Sequence, residues 1–168
     1  MTLKANFPLG FIRKSRGLKG ELLLTLVSPT IKFDKRIGNV WLGETPNKVY
    51  PWQVEKLQLQ GSDAFLKLSD VNTREEADFL KGLNVFIPSA WIHPDHPLRL
   101  YGYQVRTQSR RISAAVVTDI DLSGNQPNLI ISAAQGEFIL PLVDDFITRI
   151  DQRRKIIYVK LIEGMGPQ

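Results

Sequence analysis

A chain of 168 residues, 43% hydrophobic and 23% charged, is long enough for one domain or two small ones. It contains no cysteine, which excludes disulfides, thiolate metal sites and cysteine catalysis. The net charge is +5 and lies at the front, where the first 36 residues hold eight Lys/Arg against only Glu21 and Asp34. Such a concentrated patch favours a polyanionic surface, whether nucleic acid, membrane or acidic protein.

No apolar run approaches the roughly 20 residues needed to span a bilayer as a helix. The N-terminus lacks the apolar core of a signal peptide, so the cytoplasm is the expected location. Phe7, Leu9 and Phe11 alternate as in a half-buried strand. Arg13, Lys14, Arg16 and Lys19 follow, interleaved with Gly10, Gly17 and Gly20. The pattern is a strand, a tight basic corner in which glycines permit positive φ or close approach, and a second strand. The corner is either a phosphate contact or a solvated hairpin tip.

Glu21 to Val27 reads as that second strand, and Leu22-Leu23-Leu24 implies burial on both faces or a bulge. Ser28-Pro29-Thr30 ends it. Residues 31–38 read as a charged, mobile connector. Asn39 to Gly43 is a short strand. Val49 to Gln60 is a long one, with Val54, Leu57 and Leu59 as inward positions and Pro51 marking an edge or bulge. Ala64 to Leu68 returns after the turn at Gly61-Ser62-Asp63. Thr73 and Glu76 form a capping box for one small helix with Ala77, Phe79 and Leu80 on its apolar stripe and Gly82 as its C′ residue. Leu83 to Ile87 is the strand after it.

These elements fit a β-barrel over residues 1–90. The Pro- and His-containing stretch reads as a linker over 91–98. Residues 99–168 then form a second small barrel. Its expected strands are Tyr101–Arg106 and Ile112–Ile120 around a connection at Gln108–Arg111, then Leu129–Ser132, Glu137–Leu142 and Lys155–Leu161. The fold class is all-β, two small barrels with one short helix.

Catalytic and metal-binding groups are sparse. His93 and His96 lie in the linker and lack a third ligand on a rigid element. Asp144 and Asp145 are either a carboxylate pair for Mg²⁺ or acid–base work, or turn-capping residues. Arg-Gly-Leu-Lys-Gly is not a P-loop, because no Gly-Lys-Ser/Thr follows. Arg153-Arg154-Lys155 forms a second basic turn, with Asp151 placed to neutralise part of it. Among the aromatics, Trp41 reads as core, Trp52 as a further contact candidate, and Trp91 as a candidate for packing the two barrels together. Tyr101 and Tyr103 are expected on one strand face beside Gly102, as surface anchors or half-buried core. No cofactor and no metal are expected.

Three segments together resemble the RimM ribosome maturation factors, the 16S rRNA processing proteins. They are Leu9–Leu22, Thr73–Gly82, and Phe138–Asp151 followed by an Ile-Tyr-Val strand and Glu163-Gly164-Met165. The resemblance implies an N-terminal barrel like that of translation factors and a C-terminal PRC-type barrel. It implies a non-enzymatic, monomeric factor for maturation of the 30S head, binding small-subunit ribosomal protein number nineteen and nearby 16S rRNA without a membrane. Asp144 and Asp145 then become framework residues. On this reading Arg13, Lys14, Arg16 and Lys19 are the rRNA-binding candidates. Two departures stand out. Arg16 replaces a histidine common in the family. The family's adjacent aromatic pair, tied to ribosomal-protein binding, is missing from Asp95–Gly102, leaving Tyr101 and Tyr103 as candidate substitutes. A general RNA-binding barrel and a metal-dependent hydrolase are the alternatives. The first lacks a dense aromatic–basic alternation, and the second lacks ligands.

Overall fold

A computed structural model describes residues 5–108 and 112–167. They form two compact units that divide between Arg99 and Leu100. The first unit contains β1 (Phe7–Arg16), β2 (Glu21–Leu26), β3 (Asn39–Gly43), β4 (Val49–Gln60), β5 (Asp63–Leu68), α1 (Arg74–Asp78) and β6 (Asn84–Ile87). The strands close in the order β1-β2-β5-β4-β3-β6 and back to β1. Closure leaves a dry interior filled by Leu9, Ile12, Leu24, Leu42, Leu66 and Ile87, among others. Strand β5 shows why: Ala64, Leu66 and Leu68 alternate inward while Asp63, Phe65 and Lys67 face out. The leucine run of β2 is buried on both faces, as expected.

Two bulges in β1 alter the expected alternation. The register shifts between Pro8 and Gly10 against β6, and between Ile12 and Lys14 against β2. Leu9 and Ile12 are therefore both inward, and Phe11 is 43% exposed instead of half-buried in the barrel. Gly10 sits at the tightest point of this strand. A Cβ there would lie 2.2 Å from the Thr25 carbonyl oxygen, so only glycine lets β1 and β2 approach.

In β4, Val54 is buried and Leu57 half-buried, but Leu59 is 36% exposed. The ladder to β3 ends at Gln53, so the far half of β4 has β5 on one side and no strand on the other among the described residues. That half of the strand leaves the closed part of the barrel. The 31–38 connector is tied down rather than loose. Phe33 bridges Ile92, Asp34 N–H donates to the Trp91 carbonyl, and Gly38 O accepts from Val54 N–H. The stretch 91–98 is held to the first unit by the same contacts and by His93 N–H donating to Lys32 O. The indole of Trp91 lies 5.6 Å from that of Trp41, which is half-buried rather than core.

Half of the capping box forms as expected, with Thr73 Oγ1 accepting from Glu76 N–H at 3.2 Å, while Glu76 Oε2 reaches one residue further back and accepts from Asn72 N–H at 3.1 Å instead of from the N-cap N–H. The helix ends sooner than the sequence suggests, with Phe79 as its C-cap. Gly82 is thus not C′. It closes the following turn at φ +88° and donates to Ile12 O. Phe79 is not on a packed stripe, being 87% exposed. Only Ala77 of α1 is buried.

The second unit contains β7 (Gln104–Thr107), β8 (Ala115–Asp121), β9 (Asn128–Ala133), β10 (Gly136–Pro141), β11 (Ile147–Asp151) and β12 (Ile156–Val159). They form a six-stranded sheet, β10-β9-β8-β7-β12-β11. All neighbours are antiparallel except β7 and β12, which run parallel from Gln104 beside Ile156. Several expected strands begin late, for local reasons. Gly102 at φ +82° keeps Tyr101 in a turn, so β7 starts at Gln104. Ala114 at φ +52° breaks the extended run before β8, and Lys155 at φ +57° does so before β12. Of the connection expected at Gln108–Arg111, residues 109–111 lie outside the described residues. Strand β11 was not expected, and a register shift between Ile147 and Arg149 hides its alternation.

Candidate nucleic-acid interface

The basic corner is the turn between β1 and β2. Arg16 pairs in register with Glu21, and residues 17–20 make the turn between them. Gly17 at φ +67° and Gly20 at φ +85° supply the left-handed conformations that reverse the chain. At Gly20 a Cβ would also lie 2.3 Å from Val71 O, so the corner is pressed against the segment before α1. The Ser15 hydroxyl donates to Asp78 at 2.6 Å, tying the corner to α1 as well.

The four candidate cations are in different electrostatic states. Arg13 Nη2 is 3.4 Å from Asp63 Oδ2, and Arg16 Nη1 is 3.2 Å from Glu21 Oε1. The Arg16 guanidinium also lies 4.0 Å over the Phe65 ring. Both arginines therefore drape over the outer face of β5. Lys14 and Lys19 are exposed and make no ion pair or hydrogen bond among the described residues. Exposed pairs of this kind are worth about 0–1 kcal/mol, so Arg13 and Arg16 can exchange a carboxylate for a phosphate at small cost. The corner thus offers two free ammonium groups and two guanidiniums already held in place. Leu18, at the tip, is exposed beside them.

The aromatic candidates of the second unit divide. Tyr103 is 2% exposed and does not stand on a surface. Tyr101 is half-buried in the preceding turn, and burial followed by the nearby Asp119 carboxylate raises its pKa above the ordinary 10.0. The two do not share a strand face, because the chain turns at Gly102 between them.

Asp144 and Asp145 are exposed in the turn after β10, where Phe146 and Ile147 N–H both donate to Val143 O. Asp151 pairs with Arg149 at 3.6 Å and accepts from Arg154 N–H at 2.9 Å, so it shapes the basic turn without touching the Arg153 or Arg154 guanidinium. His93 and His96 are built into the 91–98 stretch. His96 Nε2 lies 3.1 Å from Thr30 Oγ1, and His96 Nδ1 accepts from Leu98 N–H at 3.2 Å. Among the described residues no group of three or more His, Asp or Glu side chains gathers as a metal site would require. Among the described residues no helix is long and apolar enough to cross a membrane.

Sequence reading missed Phe79. The sequence places it on the apolar stripe beside Ala77 and Leu80, whereas α1 ends at Asp78 and Phe79 is 87% exposed. It also missed the groove beside the free half of β4, because Phe33 and Leu57 are distant in sequence.

Two family models match this chain in succession. The RimM N-terminal domain covers residues 7–91 and the RimM PRC barrel domain covers residues 100–165. A ribosome maturation factor RimM of Azobacteroides pseudotrichonymphae is 28% identical over 93% of this chain and 94% of its own length. The one from Flavobacterium johnsoniae is 26% identical over 95% and 94%. A crystal structure from Pseudomonas aeruginosa, described as a putative 16S ribosomal RNA processing protein RimM, is similar over 93% of this chain and 97% of its own, at 20% identity and a TM-score of 0.46. With both domain models matched in order along nearly its whole length, the chain belongs to the RimM family.

Proposed function

We propose that this chain is a non-catalytic assembly factor for the small ribosomal subunit, acting in the cytoplasm as a monomer by binding rRNA and a ribosomal protein in the 30S head. The observation that carries this reading is the unbroken succession of the two RimM domains, in chains named for ribosome maturation. The β1–β2 corner supplies the rRNA contact. Lys14 and Lys19 meet phosphates directly, while Arg13 and Arg16 release Asp63 and Glu21 to do so. Small-subunit protein number nineteen is the proposed protein partner. Tyr101, at its turn, is the aromatic available for that contact, and Tyr103 supports it from within. The domains proposed for these two tasks are residues 1–90 and 99–168, joined through 91–98.

The test is co-sedimentation with immature 30S particles across a salt series. Replacing Arg13, Lys14, Arg16 and Lys19 by alanine together removes up to four phosphate contacts. The slope of log affinity against log salt then falls by about 3, at 0.7–0.9 per contact. A wild-type protein that never sediments with immature subunits overturns the function. A quadruple variant with the wild-type slope overturns the corner as its rRNA contact.

A further inference from the structure

The far half of β4 has the features of a docking edge for another strand. From Val54 to Gln60 it is paired to β5 on one side only, beyond the end of its ladder with β3. Beside that edge lies a groove of about 370 Å³ whose other wall is the tied-down connector. Its apolar lining is Phe33, Ile37, Val54, Leu57 and Leu59. Leu57 and Leu59 stand opposite Leu66 and Ala64 in the ladder, so they face the same side of the sheet as the barrel interior. The barrel core therefore continues into the groove without a partner layer over it.

The charge lining the groove is predominantly positive. Lys35, Arg36 and Lys56 line it and are exposed, and Glu55 is the one acid of the lining. Glu55 is already engaged, 3.6 Å from Lys67 Nζ. Lys35 lies 5.1 Å over the Trp91 ring, which holds its ammonium at the groove wall.

We infer that this edge and groove bind an extended acidic–apolar protein segment by strand addition. An added strand places alternate side chains on opposite faces. On the inner face, apolar side chains complete the core over Leu57, Leu59 and Phe33. On the outer face, carboxylates fall beside Lys56, a cross-strand pair of opposite charge. Lys35 and Arg36 meet further carboxylates from the connector side. The main-chain groups of Leu57 and Leu59, which alternate with those of Lys56, Gln58 and Gln60 already directed at β5, supply the ladder. A polyribonucleotide satisfies the cations, but it has no alternation to match the pleat and no regular row of amides for the ladder. The open edge therefore favours polypeptide. Lysine on an exposed edge also deters self-association by like-charge opposition, and it selects for an acidic partner instead.

The probe is a synthetic peptide alternating valine and glutamate, with two controls: the same peptide N-methylated at alternate amides, and a short oligouridylate. Full-length protein is titrated by fluorescence anisotropy, and amide hydrogen exchange is read at residues 56–60. The alternating peptide slows exchange there, and N-methylation of the ladder-facing amides weakens binding at least about tenfold. Replacing Lys35, Arg36 and Lys56 by alanine, all surface positions, weakens it about tenfold and flattens its salt dependence. Equal binding of the N-methylated peptide, or unchanged exchange at 56–60 on saturation, overturns strand addition. Oligouridylate protecting this edge while the peptide leaves it unprotected assigns the groove to RNA and overturns the inference. The corner residues are untouched in every arm, so the result is independent of whether they bind rRNA.

Discussion

At the scale of single residues, three glycines illustrate two different needs. Gly10 is fixed by space, since the Thr25 carbonyl occupies the place of a Cβ. Gly82 is fixed by conformation alone, at φ +88° with nothing within 4 Å of a Cβ. Gly20 meets both constraints. Gly82→Ala is expected to cost about 1 kcal/mol by forcing a left-handed alanine. Gly10→Ala is expected to cost more, about 1–3 kcal/mol or above, because two paired strands must part. Thermal or urea unfolding measures both, and the order Gly10 above Gly82 is the discriminating result. The glycines of the corner were legible in the sequence because positive φ is a local property. The role of Gly10 was not, since it depends on which backbone the barrel lays across it. Tyr103 and Phe79 were misplaced for a related reason. Each lies immediately outside the regular element expected to contain it, Phe79 just after α1 and Tyr103 just before β7, and a single positive φ or an early helix end changes where its side chain goes.

At the scale of elements, the 91–98 stretch behaves as a strap fastened by its histidines. Burial lowers the pKa of His96 below the ordinary 6.5, with Lys32 and His93 adding to the effect and the hydrogen bond with Thr30 opposing it. Its Nδ1 accepts a hydrogen bond from Leu98 N–H, which an imidazolium cannot do. In the unfolded chain His96 takes up its proton near the ordinary value, so between that value and the lowered one the unfolded state binds more protons. Stability from this residue is full above about pH 6.5 and declines as pH falls toward the lowered pKa. Comparing melting temperatures of wild type and His96→Gln from about pH 7.5 down to about pH 5 isolates it. The wild-type curve should fall more steeply below about pH 6.5, and parallel curves would remove His96 from the account. The capping-box helix and strands β2, β3 and β5 were readable because their signals are contiguous. Strand β11 was not, because a bulge offsets Ile147 from Ile150, and the groove was not, because barrel closure brings residues 33–37 to residues 54–59.

For the whole molecule, the two units divide charge unequally. The first holds the corner and the groove rim, with Lys14, Lys19, Lys35, Arg36 and Lys56 exposed and Asp34 the exposed acid beside Lys35. In the second, Asp151 engages Arg149 and the Arg149 guanidinium lies 4.5 Å over Tyr158, and the Arg153–Lys155 turn is the run of adjacent exposed cations among the described residues. Electrostatic attraction to rRNA should therefore belong to the first unit. Alanine at Arg153, Arg154 and Lys155 together is expected to change affinity for immature subunits less than about twofold and to leave the salt slope intact. The same co-sedimentation series measures this, and a slope reduced by 2 or more would move the contact to the second unit. The two-barrel class and the family were accessible from three short motifs. The charge partition was visible only as a front-loaded excess.

The parallel partnership of β7 and β12 constrains the order of folding. β12 lies between β7 and β11 in the sheet, and β11 pairs with nothing else among the described residues. Strands β7 to β10 can zip as successive hairpins as they emerge from the ribosome. β11 must wait, already synthesised and unpaired, until Ile156–Val159 arrives to bridge it to β7 across roughly fifty residues of intervening chain. Loop closure of that span is paid in chain entropy before any ladder bond returns it. The second unit is thus completed by insertion of an interior strand at a late moment in translation. Until then the free sides of β7 and β11 are open to pairing with neighbouring nascent chains.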